Sequence, residues 1–118
     1  MLFVAHPDDE TYGCGSLLAH AADRGVEVTV VCATRGELGE LAPGCGVDPG
    51  KIAEAREAEL RAAAGHLGVS EVVVLDWCDS GMDGDPAAGS LCAASLDEVA
   101  TELVPILERL QPTVVVTL

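Results

Sequence analysis

The sequence predicts an α/β fold of the Rossmann-like class, with helices on both faces of a doubly wound, mostly parallel sheet. Four short apolar runs, rich in β-branched residues, alternate with three helix-like segments along 118 residues, a length that fits one domain. Alternation of this kind favours parallel strands joined by right-handed crossovers. Three of the four runs are almost continuously apolar, which is typical of strands covered on both faces.

The four predicted strands occupy residues 2–5, 26–32, 71–75 and 113–118. Two long loops, 33–48 and 76–94, follow the second and third strands, and both are rich in glycine and acidic residues. In open α/β sheets, ligands bind outside the carboxyl ends of the strands, and long loops at that edge are more often functional than idle. The sequence therefore predicts a binding crevice where these loops begin.

Three helices are predicted from the spacing of apolar residues and from end signals. They cover residues 10–24, 48–67 and 95–110. Glycine follows the first and second helices as a stop signal, and the second and third helices each begin at an N-cap residue. Pro105 lies inside the third helix, where it removes one backbone hydrogen bond and is expected to kink the helix.

Composition narrows the classes of partner. The formal net charge is −14, from 20 acidic and 6 basic residues, which opposes binding to nucleic acid and to anionic membranes. The chain has no apolar segment long enough for membrane insertion. Its 5 cysteines, an odd number without C-x-x-C spacing, indicate reduced thiols and hence a cytoplasmic location.

The clearest candidate site is LFVAHPDDE, residues 2–10, in which a predicted strand ends in an imidazole and three carboxylates. His6 and Asp9 are three residues apart, and a turn at the proline between them would aim both side chains at one point. Imidazole and carboxylate are common ligands of zinc. Asp8 would then stay free to act as a general base, and Glu10 would lie in the first helical turn, near the positive end of the helix.

Other interpretations fit parts of this cluster. Acids at a helix start are often caps, although capping has no use for the imidazole of His6. A magnesium-dependent phosphate enzyme that uses Asp8 and Asp9 would need a basic or glycine-rich phosphate cradle, which the sequence lacks beside the cluster. The stretch GCGSLL, residues 13–18, resembles the start of a dinucleotide fingerprint, but it lacks the third glycine and follows the acids, which disfavours NAD.

The stretch AHPDDE, residues 5–10, resembles the signature of the PIG-L/LmbE-like N-acetylglucosaminyl deacetylases. Four further stretches resemble later motifs of that family in the same order; they are ATRGELGE, REAEL, DSGM and PTVVVTL, beginning at residues 33, 56, 79 and 112. The resemblance covers essentially the whole chain. Among members of the family, the sequence looks most like the actinobacterial enzymes of mycothiol metabolism.

The resemblance implies a zinc-dependent hydrolase that removes the acetyl group from a small-molecule N-acetylglucosaminyl conjugate. His6 and Asp9 would ligate one zinc ion per site. Asp8 would be the general base that activates the attacking water, and zinc would stabilise the oxyanion as a Lewis acid. The acetyl group would leave as acetate, and a free amine would remain on the sugar.

Three further residues are candidates for substrate binding through the same resemblance. Arg56 and Asp79 match positions that contact the sugar or its aglycone in the family, and Glu37 is a weaker candidate in the same wall. From the residues alone, Arg56 could instead pair with Glu59 on the surface of its helix. Likewise, Asp79 could simply form a turn.

One part of the family's site has no counterpart in the sequence. The third zinc ligand of the family is a histidine just after the fourth strand, and this sequence ends on that strand, at Leu118. The family's general-acid histidine comes later still. The remaining histidines, His20 and His66, are expected on helix surfaces. Residues 1–118 are therefore expected to be the N-terminal part of a single LmbE-like domain, truncated after its fourth strand, with its C-terminal portion missing.

Two expectations follow from this incomplete site. The alternative to a deacetylase is a non-catalytic α/β module, or an inactive remnant of the same fold, that has no working metal site. The fourth strand should also lack an outer neighbour, and an unpaired sheet edge favours association, so a homo-oligomer is a further expectation.

Overall fold

The computed structural model describes all 118 residues and contains one parallel sheet. Its strands are β1 (Leu2–Val4), β2 (Thr29–Cys32), β3 (Glu71–Val74) and β4 (Val116–Thr117). Their order across the sheet is β3-β2-β1-β4, and each neighbouring pair is parallel. The predicted α/β class is confirmed, and each strand lies inside its predicted run.

The α-helices of the fold are α1 (Asp9–Asp23), α2 (Ile52–His66) and α3 (Leu96–Leu110). A 3₁₀ turn, Pro49–Lys51, precedes α2, and the predicted N-cap, Asp48, accepts a hydrogen bond from the amide of Gly50 at 2.9 Å. The α-helix therefore begins a little later than predicted. The predicted capping box at Ser95 starts α3, which continues through Pro105 without a break. The kink expected at Pro105 stays a prediction.

The core lies between the sheet and the first two helices. Alternate residues of the two central strands point to this side, and they form one buried cluster with residues of both helices: Leu2, Val4, Cys14, Leu18, Val28, Val30, Cys32 and Leu60. On the opposite face of β2, Val31 is also fully buried. Both faces of this strand are therefore covered, which explains its continuous apolar sequence.

The helix surfaces carry the two histidines that lie outside the first turn. His20 on α1 and His66 on α2 are exposed, as predicted. None of the three helices combines the length and the apolar character that a membrane span requires.

The strand β4 forms one edge of the sheet and is short. Val114 and Val115 before it and Leu118 after it are exposed. An edge strand leaves backbone donors and acceptors unpaired, and exposed apolar side chains add to its tendency to associate. Association of copies through this edge stays a prediction.

Truncation of Leu60 tests the assigned core. Its side chain is 1% exposed, and Leu60→Ala should lower the free energy of unfolding by about 2–5 kcal/mol, because lost apolar contacts and the remaining cavity add. The control is Leu96→Ala at an 88% exposed leucine, which should change that free energy by less than about 0.5 kcal/mol. Urea unfolding followed by circular dichroism measures both, and equal losses would contradict the core assignment.

Candidate functional site

The turn between β1 and α1 holds Asp8 in an unusual backbone conformation. Asp8 has a φ of 96°, in the left-handed region that residues other than glycine seldom adopt. The carboxylate of Glu10 stabilises this turn, since it accepts hydrogen bonds from the Asp8 amide at 2.9 Å and from the Thr11 hydroxyl at 2.6 Å. Glu10 lies in the first helical turn as predicted, but it is 1% exposed. Its role in holding the Asp8 backbone was not predicted from the sequence.

The side chain of Asp8 does not cap the helix. Asp8 occupies the N-cap position of α1, yet its carboxylate makes no capping hydrogen bond, and the side chain is 54% exposed. Asp9 also turns back toward the strand, where its Oδ2 accepts a hydrogen bond from the amide of His6 at 3.0 Å. The capping interpretation is therefore wrong for Asp8. Its carboxylate is available for other chemistry at the carboxyl edge of the sheet.

The imidazole of His6 lies between two carboxylates. Its Nδ1 is 3.8 Å from Oδ2 of Asp9, and its Nε2 is 3.3 Å from Oδ1 of Asp79. The spacing of His6 and Asp9 predicts the first of these neighbours, whereas no pattern in the sequence predicts the second. The loop after β3 thus reaches the first turn, as expected when the carboxyl ends of parallel strands share one edge.

The side chains of His6 and Asp9 fit two ligand positions of a zinc ion. Zinc binds imidazole nitrogen and carboxylate oxygen at about 2.0–2.2 Å, so two of its ligand atoms lie within roughly 4 Å of each other, and the 3.8 Å between His6 Nδ1 and Asp9 Oδ2 meets that limit. The structure contains no group of three or more His, Cys, Asp or Glu residues arranged to hold a metal ion. Burial raises the pKa of the Cys32 thiol to about 12, which disfavours it as a further ligand.

The side chain of Asp79 is almost fully engaged. Its Oδ1 accepts a hydrogen bond from the Gly81 amide at 3.0 Å, and its Oδ2 accepts one from the Leu38 amide at 3.3 Å. Burial raises the pKa of Asp79, but the Gly81 amide, His6 and the Leu38 amide outweigh it and hold that pKa below its usual value. The turn expected from the residues alone is therefore present, together with a contact to His6.

Glu37 lies beside Asp79. Its Oε1 accepts a hydrogen bond from the backbone amide of Asp79 at 2.8 Å. Glu37 thus joins the loop after β2 to the loop after β3 and fixes the backbone that carries Asp79. Contact of Glu37 with a substrate stays a prediction.

Arg56 of α2 joins three segments of the site. Its Nη2 donates hydrogen bonds to the carbonyl of Pro7 at 2.6 Å and to Oδ2 of Asp8 at 2.9 Å. Its Nη1 donates to the carbonyl of Gly36 at 2.9 Å. The alternative pairing with Glu59 is wrong, because the ion pair of Arg56 is with Asp8. Arg56 therefore orients the carboxylate of the proposed general base.

Two glycines of the loop after β2 make room for this guanidinium group. A Cβ atom at Gly36 would collide with Nη1 of Arg56, and one at Gly39 would lie 2.7 Å from the same atom. Gly36 has a φ of 63°, so a side chain is disfavoured there for backbone reasons as well. The close approach of Arg56 is therefore one reason why the motif ATRGELGE has glycine at both positions.

The ion pair of Asp8 with Arg56 also borders a small cleft. The cleft has a volume of about 200 Å³ and is lined by residues of the first turn and of α2. His6, Asp9 and Asp79 are not among its lining residues. The carboxylate of Asp8 therefore borders this cleft, whereas the imidazole of His6 and its two carboxylate neighbours do not.

The fold and its polar edge define an α/β protein whose candidate site lies at the carboxyl ends of the strands. The chain belongs to the PIG-L family, since the sequence profile of that family, described as GlcNAc-PI de-N-acetylase, matches residues 1–118. The resemblance predicted from the sequence motifs is confirmed.

Curated relatives of the chain include deacetylases of two actinobacteria. Both are named 1D-myo-inositol 2-acetamido-2-deoxy-alpha-D-glucopyranoside deacetylase. The protein of Kineococcus radiotolerans is 42% identical in an alignment of 136 positions, which covers 99% of this chain and 38% of the relative. The protein of Actinosynnema mirum is 41% identical in an alignment of 129 positions, which covers 99% of this chain and 46% of the relative. The chain thus spans less than half the length of these relatives.

Solved structures with the same fold include enzymes of two reaction types. The N,N'-diacetylchitobiose deacetylase of Pyrococcus horikoshii superposes with a TM-score of 0.75 at 30% identity, over 97% of this chain and 38% of that one. Teicoplanin deacetylase in a zinc-inhibited form gives a TM-score of 0.72 at 25% identity, over 98% and 55% of the two chains. The 4-carboxy-2-hydroxymuconate hydratase of Pseudomonas putida gives a TM-score of 0.72 at 30% identity, over 97% of this chain and 44% of that one. The fold therefore does not by itself determine the reaction.

Proposed function

We propose that residues 1–118 form the N-terminal part of a zinc-dependent hydrolase that removes the acetyl group from a small-molecule N-acetylglucosaminyl conjugate. The observation that carries the proposal is the arrangement of one turn, in which His6 Nδ1 faces Asp9 Oδ2 at 3.8 Å while the carboxylate of Asp8 stays free of capping. Membership of the PIG-L family and the names of the deacetylase relatives support the reaction class.

His6 and Asp9 are the residues of this chain that would hold the zinc ion. A third ligand would come from polypeptide outside these 118 residues, in line with the greater length of the relatives. When bound, zinc would supply Lewis-acid catalysis by polarising the amide carbonyl group. One zinc ion per site suffices for this chemistry.

The protein's own groups act on the water and on the sugar. The carboxylate of Asp8 accepts a proton from the attacking water, and Arg56 holds that carboxylate in place. In the hydrolysis, the water oxygen forms a bond to the acetyl carbon and the C–N bond of the acetamide breaks. The acetyl group leaves as acetate, and the sugar nitrogen takes up the proton that Asp8 accepted and becomes the free amine. Arg56, Asp79 and Glu37 lie in the wall proposed to meet the sugar.

The same proposal extends to substrate and location. Because the names of the two relatives describe an inositol-linked N-acetylglucosamine, the first substrate to test has an inositol aglycone. The five free cysteines suit a reducing compartment, which supports a cytoplasmic enzyme.

The experiment begins with the coding sequence downstream of Leu118. An open frame with an H-x-x-H-like stretch is expected, and the longer protein should bind one zinc ion per chain and release acetate from the inositol conjugate. A zinc-loaded protein that carries the third ligand and releases no acetate from any N-acetylglucosaminyl conjugate would contradict the proposal. A stop codon after Leu118 would instead favour the non-catalytic module or inactive remnant.

A further inference from the structure

We propose that Asp79 is a positioning residue for His6, which it holds in the tautomer that carries its hydrogen on Nε2 and leaves Nδ1 free to bind the metal. This inference rests on the proposed function only for the identity of the metal. This role is additional to the contact with the sugar or aglycone that the resemblance implied for Asp79, and that contact stays a prediction.

The distances around the ring distinguish its two nitrogen atoms. Nε2 of His6 lies 3.3 Å from Oδ1 of Asp79, within hydrogen-bond reach, whereas Nδ1 lies 3.8 Å from Oδ2 of Asp9, beyond it. An ionised carboxylate can only accept hydrogen bonds, so Nε2 must be the donor in the contact with Asp79. In a neutral imidazole, the other nitrogen then presents its lone pair, and it does so toward Asp9.

The surroundings of Asp79 require a carboxylate rather than an amide. Oδ1 faces two donors, the Gly81 amide and His6 Nε2, and Oδ2 faces the Leu38 amide. An asparagine would place its NH₂ group against a donor whichever way it turned, and one hydrogen bond would be lost. The backbone of Asp79 is also fixed, since its amide donates to Glu37. The side chain is 9% exposed.

A carboxylate or carbonyl on the second nitrogen of a metal-ligating histidine is a common arrangement. It fixes the tautomer and the ring orientation, and its loss typically lowers metal affinity by roughly 10-fold to 100-fold. The contact of Asp79 with His6 has the geometry of this arrangement, with the carboxylate supplied by the loop after β3 and the histidine by the turn after β1. Through Asp79, the position of the loop after β3 therefore affects how strongly His6 binds metal.

The test compares Asp79→Asn with the wild-type chain, both in the longest form that the coding sequence specifies. Long-range ¹H–¹⁵N correlation spectra of the metal-free chains, at a pH where the imidazole is neutral, report which nitrogen of His6 is protonated. Zinc affinity is measured by competition with a chelator, with His6→Ala as the reference for loss of a ligand. The matched control is Asp76→Asn, at an exposed aspartate of the same loop that pairs with Arg35.

The wild-type chain should show His6 protonated on Nε2, and Asp79→Asn should show a mixture of tautomers. Zinc affinity should fall by roughly 10-fold to 100-fold in Asp79→Asn and stay unchanged in Asp76→Asn. Protonation on Nδ1 in the wild-type chain would overturn the inference even if Asp79→Asn failed to fold. So would a folded Asp79→Asn chain with wild-type zinc affinity. If His6→Ala leaves zinc binding unchanged, His6 is not a zinc ligand and the proposed metal site is wrong. The tautomer of His6 in the wild-type chain would still show whether Asp79 positions the ring.

Discussion

Replacement of Asp8 by asparagine is expected to lower kcat for acetate release by about 10²-fold to 10⁴-fold, the range that a positioned general base contributes. The amide cannot accept the proton that the carboxylate takes from water. Asparagine tolerates the left-handed backbone that Asp8 adopts at a φ of 96°. It also keeps one oxygen for the hydrogen bond from Arg56, so the turn should hold its shape.

The measurement pairs kcat with zinc content, in the longest protein that the coding sequence specifies. Zinc content should stay near that of the wild-type protein, because the ligands proposed in this turn are His6 and Asp9. Asp48→Asn is the matched control, since asparagine is as good an N-cap as aspartate and Asp48 lies at the start of the 3₁₀ turn. If Asp8→Asn loses zinc together with activity, Asp8 is a ligand, and the roles proposed for the turn are wrong.

The order of elements could be predicted from the sequence because it depends on local patterns. Within a few residues, the continuous apolar run of β2 indicates a strand covered on both faces, and the capping box at Ser95 indicates the start of a helix. The first turn could be identified as a site for the same reason, since the imidazole and the acids lie within five positions of one strand end. Boundaries were less exact, and Asp48 begins a 3₁₀ turn before the α-helix.

The contacts between loops could not be predicted from these patterns. The approach of Asp79 to His6 joins residues 73 positions apart, and that of Arg56 to Asp8 joins residues 48 positions apart. Which side chains meet depends on how far each loop folds over the sheet edge, and periodicity carries no information about that distance. Glu10 was missed for a different reason. An acid in a first helical turn is normally explained by the helix dipole, and nothing in the sequence indicates that its carboxylate is buried.

Arg56 is the second residue whose loss should have a large effect. Its guanidinium group donates to Pro7, to Asp8 and to Gly36, and hydrogen bonds to a charged group are worth about 1.5–3 kcal/mol each. Arg56→Met removes all three, and the loss of the bond to Asp8 alone is expected to lower kcat/KM by about 100-fold, the effect of about 2.7 kcal/mol. Arg56→Lys should recover only part of the activity, because an ammonium group cannot reach three acceptors in the geometry of the planar fork.

Gly39→Ala separates the position of Arg56 from its charge. The new Cβ atom would lie 2.7 Å from Nη1, so the guanidinium group must shift while the arginine itself stays. If Arg56 acts by orienting Asp8, kcat should fall by about 10-fold, the effect of losing one hydrogen bond of ~1.4 kcal/mol, while KM changes little. Gly65→Ala in α2, where a Cβ atom meets nothing within 4 Å, is the control and should leave kcat unchanged. A rise in KM with unchanged kcat would mean that Arg56 binds substrate rather than positioning the base, since uniform binding affects KM alone.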